Sequence, residues 1–379
     1  MKIKLIVIFA LVFSFMACEN QSNEFEDFGS TSVYFPYQTP VRTLVLGDYD
    51  LGFNDNDNNG RFEIGVVMSG VYENTIDRKV YFELAPELID PVAIGVDSVN
   101  VKILPSSYYT IEQESPVTIS AGAFNGRIPI QLNDAFFDDP LSFAEFGEAH
   151  YVVPLKITDY EQIDSLLTGV PIIENPIKII SEHWNPAPKD YTLFGIKYIN
   201  KYHGIHLRRG QDKIQGSIEL HTIASGDRVT STIDEVSVYR AEFVVEDEVV
   251  PVVTSGRNEV DVDNRVRRGD TIPSGNKDIA LNLVINENGD ITISNAVGET
   301  RVVTGSGKWL ESGDEWGGKK RNVIYLEYEY EDVEIFPYET SRGRTTVEAS
   351  VNFLHQVKDT LVMRNRDIKF EEFIVELKE

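Results

Sequence analysis

Cysteine is almost absent from this chain, because Cys18 is the only cysteine among 379 residues. Disulfides and thiolate metal sites are therefore excluded from the rest of the sequence, and stability must come from burial and hydrogen bonding. Histidine is also scarce, with six residues. His203 and His206 form an H-x-x-H pair, but a strand would place them on opposite faces of a sheet. We therefore expect structural histidines and no zinc site.

Basic residues and catalytic motifs are also in short supply. The chain has 35 Lys and Arg against 61 Asp and Glu, a net charge of -26. Such a surface repels phosphate backbones and anionic headgroups, which excludes nucleic-acid binding and electrostatic membrane attachment. No G-x-S-x-G nucleophile motif occurs, and with so many carboxylates acidic pairs arise by chance. We expect that the protein is not an enzyme and uses no cofactor.

Long apolar runs are limited to one stretch near the start, residues 5–16, which is too short to span a bilayer comfortably. It follows a basic start and leads through Ala17 into Cys18. This pattern resembles the bacterial lipoprotein signal, which implies that residues 1–17 are removed and that Cys18 is acylated. An ordinary secretory peptide with an incidental cysteine is the alternative.

Residues 18–29 are polar and acidic, as expected of a solvated tether. Acidic residues after the lipidated cysteine resemble the signal that sends Bacteroidetes lipoproteins to the outer face of the outer membrane. The resemblance implies a lipid anchor in that membrane and a protein that faces the cell exterior. A plain flexible linker explains the same residues.

The body of the chain has the period-2 alternation of β-strands. Val99, Val101 and Ile103, for example, are separated by polar residues. About seven such segments predict an immunoglobulin-like β-sandwich over residues 30–170. Prolines cluster in residues 171–190, which predicts a linker.

The alternation resumes over residues 191–379 and predicts a second all-β domain, either a barrel or a sandwich. Leu283 and Ile293 lie on opposite sides of an Asn-Gly turn signal, which predicts a hairpin. The predicted fold class is therefore all-β with two domains.

Several segments carry a family resemblance. They are VYFPYQTP (33–40), FEIGVVMSG (62–70), LPSSYYTI (104–111), AHYVVPLKITD (149–159), WNPAPKDYTLFGIKYINKYHGIHLRRG (184–210) and DTLVMRNRDIKFEEF (359–373). They resemble a Bacteroidetes outer-membrane lipoprotein family of unknown function, with an N-terminal sandwich and an associated C-terminal domain. Such proteins occupy the position of SusE- and SusF-like glycan-binding lipoproteins in polysaccharide-utilisation systems. The resemblance implies glycan binding and neighbouring importer proteins by association only, because fold does not determine function.

One aromatic cluster is a candidate glycan site. Sugars bind with an apolar ring face on an indole, while amide, carboxylate and cationic groups bond the hydroxyls. A polar, Gly-rich segment cannot bury two indoles through its own neighbours. The candidates are Trp316 as the platform, Trp309, and the polar residues Asp314, Glu315, Lys319 and Asn322. The structural alternative is that Trp309 caps the core and that Trp316 folds over the rim of the domain.

Residues 55–60 resemble the front half of a calcium loop. The oxygen ligands would come from Asp55, Asp57, Asn59 and Glu63. The twelfth position is Val66 instead of the required glutamate. A polar turn explains the same residues, so no metal is expected.

Two functions are consistent with the sequence. The preferred one is a non-catalytic surface lipoprotein that binds a polysaccharide or oligosaccharide for an uptake system. The alternative is an adhesive or pilus-type structural lipoprotein of the outer membrane, which would form polymers.

Overall fold

The computed structural model describes residues 28–49, 51–143, 151–266, 278–339 and 346–378. The predicted signal and Cys18 lie outside these residues. No helix in the described part of the chain is long and apolar enough to cross a membrane. The short helices are α1 (Asp55–Asn58), α2 (Pro91–Ile94) and α3 (Asp134–Phe137). Most other ordered residues are strands, so the predicted all-β, two-domain fold is confirmed.

The N-terminal domain is a sandwich of two sheets. Its strands are β1 (Ser32–Tyr34), β2 (Pro40–Val45), β3 (Arg61–Ser69), β4 (Arg78–Leu84), β5 (Ser98–Val99), β6 (Lys102–Ile103), β7 (Tyr109–Ile111), β8 (Val117–Ile119), β9 (Asn125–Leu132), β10 (Tyr151–Glu161), β11 (Ser165–Leu166) and β12 (Tyr191–Ile199). One sheet has the order β11-β1-β3-β9-β7, and the other contains β2-β12-β10-β4-β8 with β6 beside β10. Alternate residues of β3 face inward, and Phe62, Ile64, Val66 and Met68 are buried. Each contributes about 1.5–3 kcal/mol by leaving water.

The domain boundary differs from the predicted one. β12 pairs antiparallel with β10 and parallel with β2, so residues 191–199 complete the sandwich and do not begin the second domain. The proline-rich segment folds back on itself, because Trp184 Nε1 donates to the Ile177 carbonyl at 3.0 Å. Residues beyond 200 form the second domain.

The second domain is a closed barrel, which resolves the choice between barrel and sandwich. Its strands are β13 (Gly204–Thr222), β14 (Asp227–Tyr239), β15 (Glu248–Gly256), β16 (Glu259–Arg265), β17 (Asp278–Ile285), β18 (Asp290–Asn295), β19 (Val303–Trp316), β20 (Lys319–Glu339) and β21 (Thr346–Asn365). β13 and β15 to β21 pair in antiparallel order, and β21 returns to β13. Side chains such as Leu281, Leu283 and Ile293 fill the interior. An eight-stranded barrel is just wide enough to be filled in this way.

The C-terminal segment returns to the sandwich. β22 (Glu371–Glu372) pairs with β2, and β23 (Leu377–Lys378) pairs with β5. Phe373 is buried beside Val41 and Leu193 in a separate apolar cluster. The two domains are therefore joined twice, at residue 200 and again through the C-terminal segment.

Candidate functional site

The predicted glycan segment is a tight β-hairpin at the end of the barrel. Gly317 and Gly318 connect β19 to β20 with φ of +61° and +73°. Two consecutive positive φ values are typical of a type I′ turn, which glycine adopts without strain. Trp316 lies opposite Lys319, and Asp314 lies opposite Arg321. The strands thus continue to the tip, where the sequence had suggested a loop.

The hairpin brings some of the predicted residues together and separates others. Because cross-strand partners share a face, Trp316, Asp314 and Lys319 lie on one face with Arg321. Glu315 is opposite Lys320 on the other face. Asp314, Glu315 and Lys319 are exposed, and Trp316 is half-buried. Three of the six predicted residues therefore form a common surface.

Arg321 orients the indole. Its guanidinium carbon lies 5.2 Å from the ring centroid of Trp316, within the range of a cation–π interaction. Its Nη1 also donates to the carbonyls of Met363 at 3.4 Å and Arg364 at 3.2 Å. The sequence analysis did not include Arg321, although its spacing from the Gly-Gly turn would have placed it beside Trp316.

Asn322 has a structural role instead of the predicted role in ligand binding. The pairing of β19 with β20 is interrupted between Leu310 and Asp314, and Ser312 has a φ of +50°. The Asn322 Oδ1 accepts a hydrogen bond from the Ser312 backbone N–H at 2.9 Å. This bond satisfies a backbone donor that the bulge removes from the ladder.

Trp309 is a core residue and leaves the candidate set. It is 8% exposed, and the Tyr202 ring meets it edge-on with centroids 5.2 Å apart. Lys201 Nζ lies 4.5 Å from its centroid. With its surroundings occupied in this way, the indole has no ring face left for a sugar. The structural alternative from the sequence is the correct one for this residue.

The base of the hairpin meets the sandwich. A hydrogen bond to Asp48 raises the pKa of Glu311, and burial adds to the effect. A neighbouring carboxyl group disfavours the charged form of a carboxylate. The hairpin therefore projects from the junction of the two domains.

Three residues of the candidate calcium loop, Asp57, Asn59 and Glu63, are bonded to other protein groups. Asp57 is buried, its Oδ2 accepts from the Val45 backbone N–H, and its Oδ1 pairs with Arg42. Glu63 pairs with Arg127 at 2.9 Å. The Asn59 side chain donates to the Asp55 carbonyl. In the described residues, no group of three or more His, Cys, Asp or Glu side chains could hold a metal ion.

The two spaced histidines are separately bonded, and His206 is buried while His203 is half-buried. His203 Nδ1 accepts from the Thr254 backbone N–H at 3.1 Å, and His206 Nδ1 contacts the Gly204 carbonyl. Burial lowers the pKa of His203 to about 3 and that of His206 to about 4. Both are therefore neutral at physiological pH and have a structural role.

A buried ionic network inside the barrel was not predicted from the sequence. Arg208 Nε donates to Asp359 Oδ2 at 3.0 Å, and the Tyr328 hydroxyl donates to the same oxygen at 3.0 Å. Arg208 also bonds Glu248 and the Tyr239 hydroxyl. Burial raises the pKa of Asp359, although Arg208 opposes the shift. The network therefore holds a buried ion pair together with two tyrosine hydroxyls.

The barrel coincides with the part of the chain that matches a known family model. Residues 201–367 match the domain of unknown function DUF5627. The DUF5627 match begins just before β13 and ends just after β21, so it covers the whole barrel. Residues 27–164 match a second model, described as an N-terminal domain. No curated protein matches the chain.

Several solved structures from Bacteroides species are similar to this chain. A protein of unknown function from Bacteroides ovatus is 27% identical, with a TM-score of 0.72, over 93% of this chain and all of that chain. A second Bacteroides ovatus protein of unknown function is 16% identical, with a TM-score of 0.36, over 92% of this chain and 99% of its own. An auxiliary nutrient binding protein from Bacteroides thetaiotaomicron is 12% identical, with a TM-score of 0.33, over 89% of this chain and 95% of its own. Only the first shares enough of the fold to support a structural comparison.

Proposed function

We propose that this protein is a non-catalytic lipoprotein, anchored in the outer membrane through Cys18 and facing the cell exterior, that binds polysaccharide for an uptake system. The observation that carries the proposal is the hairpin face formed by Trp316, Arg321, Asp314 and Lys319. A half-buried indole beside a carboxylate and an ammonium group combines an apolar platform with hydrogen-bonding partners. Neighbouring importer proteins would receive the glycan.

The chemistry of this face suits sugar recognition. Trp316 offers apolar area with an N–H donor, and such residues dominate recognition surfaces. Arg321 is held by backbone carbonyls, so the indole is oriented before a ligand arrives. The face is a small surface on a two-stranded hairpin, so we expect weak binding and no cleavage of the glycan.

Replacing the platform should remove glycan binding without unfolding the barrel. We expect Trp316→Ala to weaken glycan retention at least tenfold, since an anchoring aromatic commonly contributes 2 kcal/mol or more, ~30-fold. Affinity gel electrophoresis against the retained polysaccharide measures the loss. Phe243→Ala is the matched control, because Phe243 is 59% exposed on the same domain but distant in sequence from the hairpin. Equal retention by Trp316→Ala and the wild type would remove the hairpin from the proposal.

The lipid anchor has its own test. We expect Cys18→Ser to abolish incorporation of radiolabelled palmitate and to move the protein from the membrane fraction to the soluble fraction, since the thiol is the acyl acceptor. Ser22→Ala, a change in the tether, should leave both unchanged. Labelled, membrane-bound Cys18→Ser protein would contradict acylation at this residue.

The adhesive or pilus-type alternative has one supporting observation. β14 forms the edge of the nine-stranded sheet, and its 13 residues are mostly exposed. An exposed edge strand is a template for pairing with another chain. Concentration-dependent polymers in light scattering, without glycan retention, would favour this function.

A further inference from the structure

A cavity of about 400 Å³ opens at the edge of the sandwich, and no residue of the proposed glycan face lines it. It lies between β2, β3 and β12 and is covered by residues 368–370 of the C-terminal segment. Phe35, Ile64 and Phe194 form apolar walls. The volume falls within the range of small-molecule sites.

Two exposed aromatic rings line the cavity. Tyr37 is 49% exposed and Phe370 is 66% exposed, and their centroids lie 5.3 Å apart. Rings that are exposed in this way and also line a cavity present apolar area that the fold itself does not use.

Both rings sit on backbone that is fixed on each side. In the loop around Tyr37, Gln38 donates to the Phe35 carbonyl at 2.9 Å and accepts from the Leu193 N–H at 2.7 Å. Phe370 lies between the buried residues Arg366 and Phe373. The aromatic positions are therefore set before a ligand binds, which lowers the entropic cost of binding.

A hydroxyl group in the wall of the cavity has no partner. Thr192 is 1% exposed and lines the cavity, and its Oγ1 makes no hydrogen bond to the protein. Buried hydroxyls nearly always have a partner, and an unpaired one costs about 1–3 kcal/mol. A ligand hydroxyl would satisfy it.

The charged residues that line the cavity are both basic, although acidic residues outnumber basic ones by 61 to 35 in the chain. They are Arg42 and Lys369. Arg42 is held in place by Asp57 and by the Thr43 carbonyl. Lys369 has its ammonium 3.5 Å from Asp367, and its side chain is 60% exposed. The lining thus carries two cations and no carboxylate, and the carboxylate partner of each cation lies outside the lining.

We propose that this cavity binds a sugar ring that carries a carboxylate, as in a uronic-acid oligosaccharide. The apolar ring face lies on Tyr37 and Phe370, a hydroxyl bonds Thr192, and the carboxylate lies beside Lys369 and Arg42. Screening limits the repulsion from distant carboxylates, because the Debye length is about 8 Å at physiological ionic strength. The proposal rests on the proposed glycan-binding function and names a second site with a defined sugar class.

The test uses the full-length protein in detergent and isothermal titration calorimetry. The ligands are oligomers of galacturonate, glucuronate and mannuronate, each beside its neutral counterpart of equal length. We expect at least one acidic oligomer to bind tenfold more tightly than its neutral counterpart. Lys369→Gln should weaken that binding about fivefold, Tyr37→Ala about tenfold or more, and added salt should weaken it further.

The controls separate this site from the hairpin and from unfolding. Lys358→Gln removes a lysine of equal exposure on the barrel, 59%, and should leave the affinity unchanged. Trp316→Ala, which removes the hairpin platform, should still bind acidic oligomers more tightly than neutral ones. Equal affinity for acidic and neutral oligomers, or full affinity in both Lys369→Gln and Tyr37→Ala, overturns the inference. Loss of all glycan binding in Trp316→Ala overturns it too, and in that case the hairpin function stands.

Discussion

Replacing Arg208 by methionine is expected to destabilise the protein by about 3–5 kcal/mol, because it leaves the Asp359 carboxylate buried without its cation. Asp359 is buried, and Arg208 is its charged partner at 3.0 Å. Chemical denaturation measures the loss in the free energy of unfolding. Arg228→Ala is the control, since its pair with Glu219 is exposed and contributes only about 0–1 kcal/mol.

The destabilisation should depend on pH in a defined direction. Burial already raises the pKa of Asp359 above its ordinary value of 3.8, and removing Arg208 raises this pKa further. The folded state then prefers the protonated acid. The loss in the free energy of unfolding caused by Arg208→Met is therefore largest above the raised pKa of Asp359. It becomes smaller as the pH falls toward 3.8. The double variant Arg208→Met, Asp359→Asn should lose less free energy of unfolding than the sum of the losses in the two single variants. A pH-independent deficit with strictly additive losses would show that the two side chains are not coupled.

Replacing Arg366 is expected to uncouple the two domains. Its guanidinium donates to the carbonyls of Leu46, Asp48, Asn200 and His203 at 2.6–3.1 Å. These acceptors come from the sandwich, the interdomain connection and the barrel. Burial lowers the pKa of Arg366 to about 10, so the group remains charged at neutral pH. Arg366→Met removes every one of these bonds at once.

We expect Arg366→Met to lower the free energy of unfolding by about 3 kcal/mol or more, because several buried carbonyls lose a charged donor together. In calorimetry, the unfolding of the two domains should separate into distinct transitions. Arg364→Ala is the control, because Arg364 lies two residues earlier and its side chain is exposed. This change should alter the free energy of unfolding by less than about 0.5 kcal/mol. A single unshifted transition in Arg366→Met would mean that the domains are held by other contacts.

Local patterns in the sequence predicted most of the β-structure. Leu283 and Ile293 pair across the predicted turn, as strands β17 and β18. Alternation predicts strands because one face of each is buried, and this holds whether a sheet closes or not. The same signal cannot decide between a barrel and a sandwich, since closure depends on the pairing of β13 with β21, which is distant in sequence.

The errors have the same origin. The proline cluster predicted a linker between the domains, but residues 171–190 connect β11 to β12 within the sandwich. The parallel pairing of β12 with β2 is a long-range contact that no local pattern encodes. Trp309 follows polar and glycine residues, yet the barrel buries it through Tyr202. In the sequence, Arg366 is one of several basic residues in its segment, and nothing local distinguishes it. Only the fold brings four backbone carbonyls within hydrogen-bonding distance of its guanidinium. The residues around Trp316 could be named as candidates because they are close in sequence, but the hairpin they form was not predicted.

The central claim is that the protein binds a polysaccharide and does not cleave it. The most direct measurement is a glycan-array and affinity-gel screen of the full-length protein against plant, host and microbial polysaccharides, with analysis of the products. We predict retention by one class of polysaccharide, with its chain length unchanged after prolonged incubation. Retention by none of them, or shortening of the retained polysaccharide, would contradict the account.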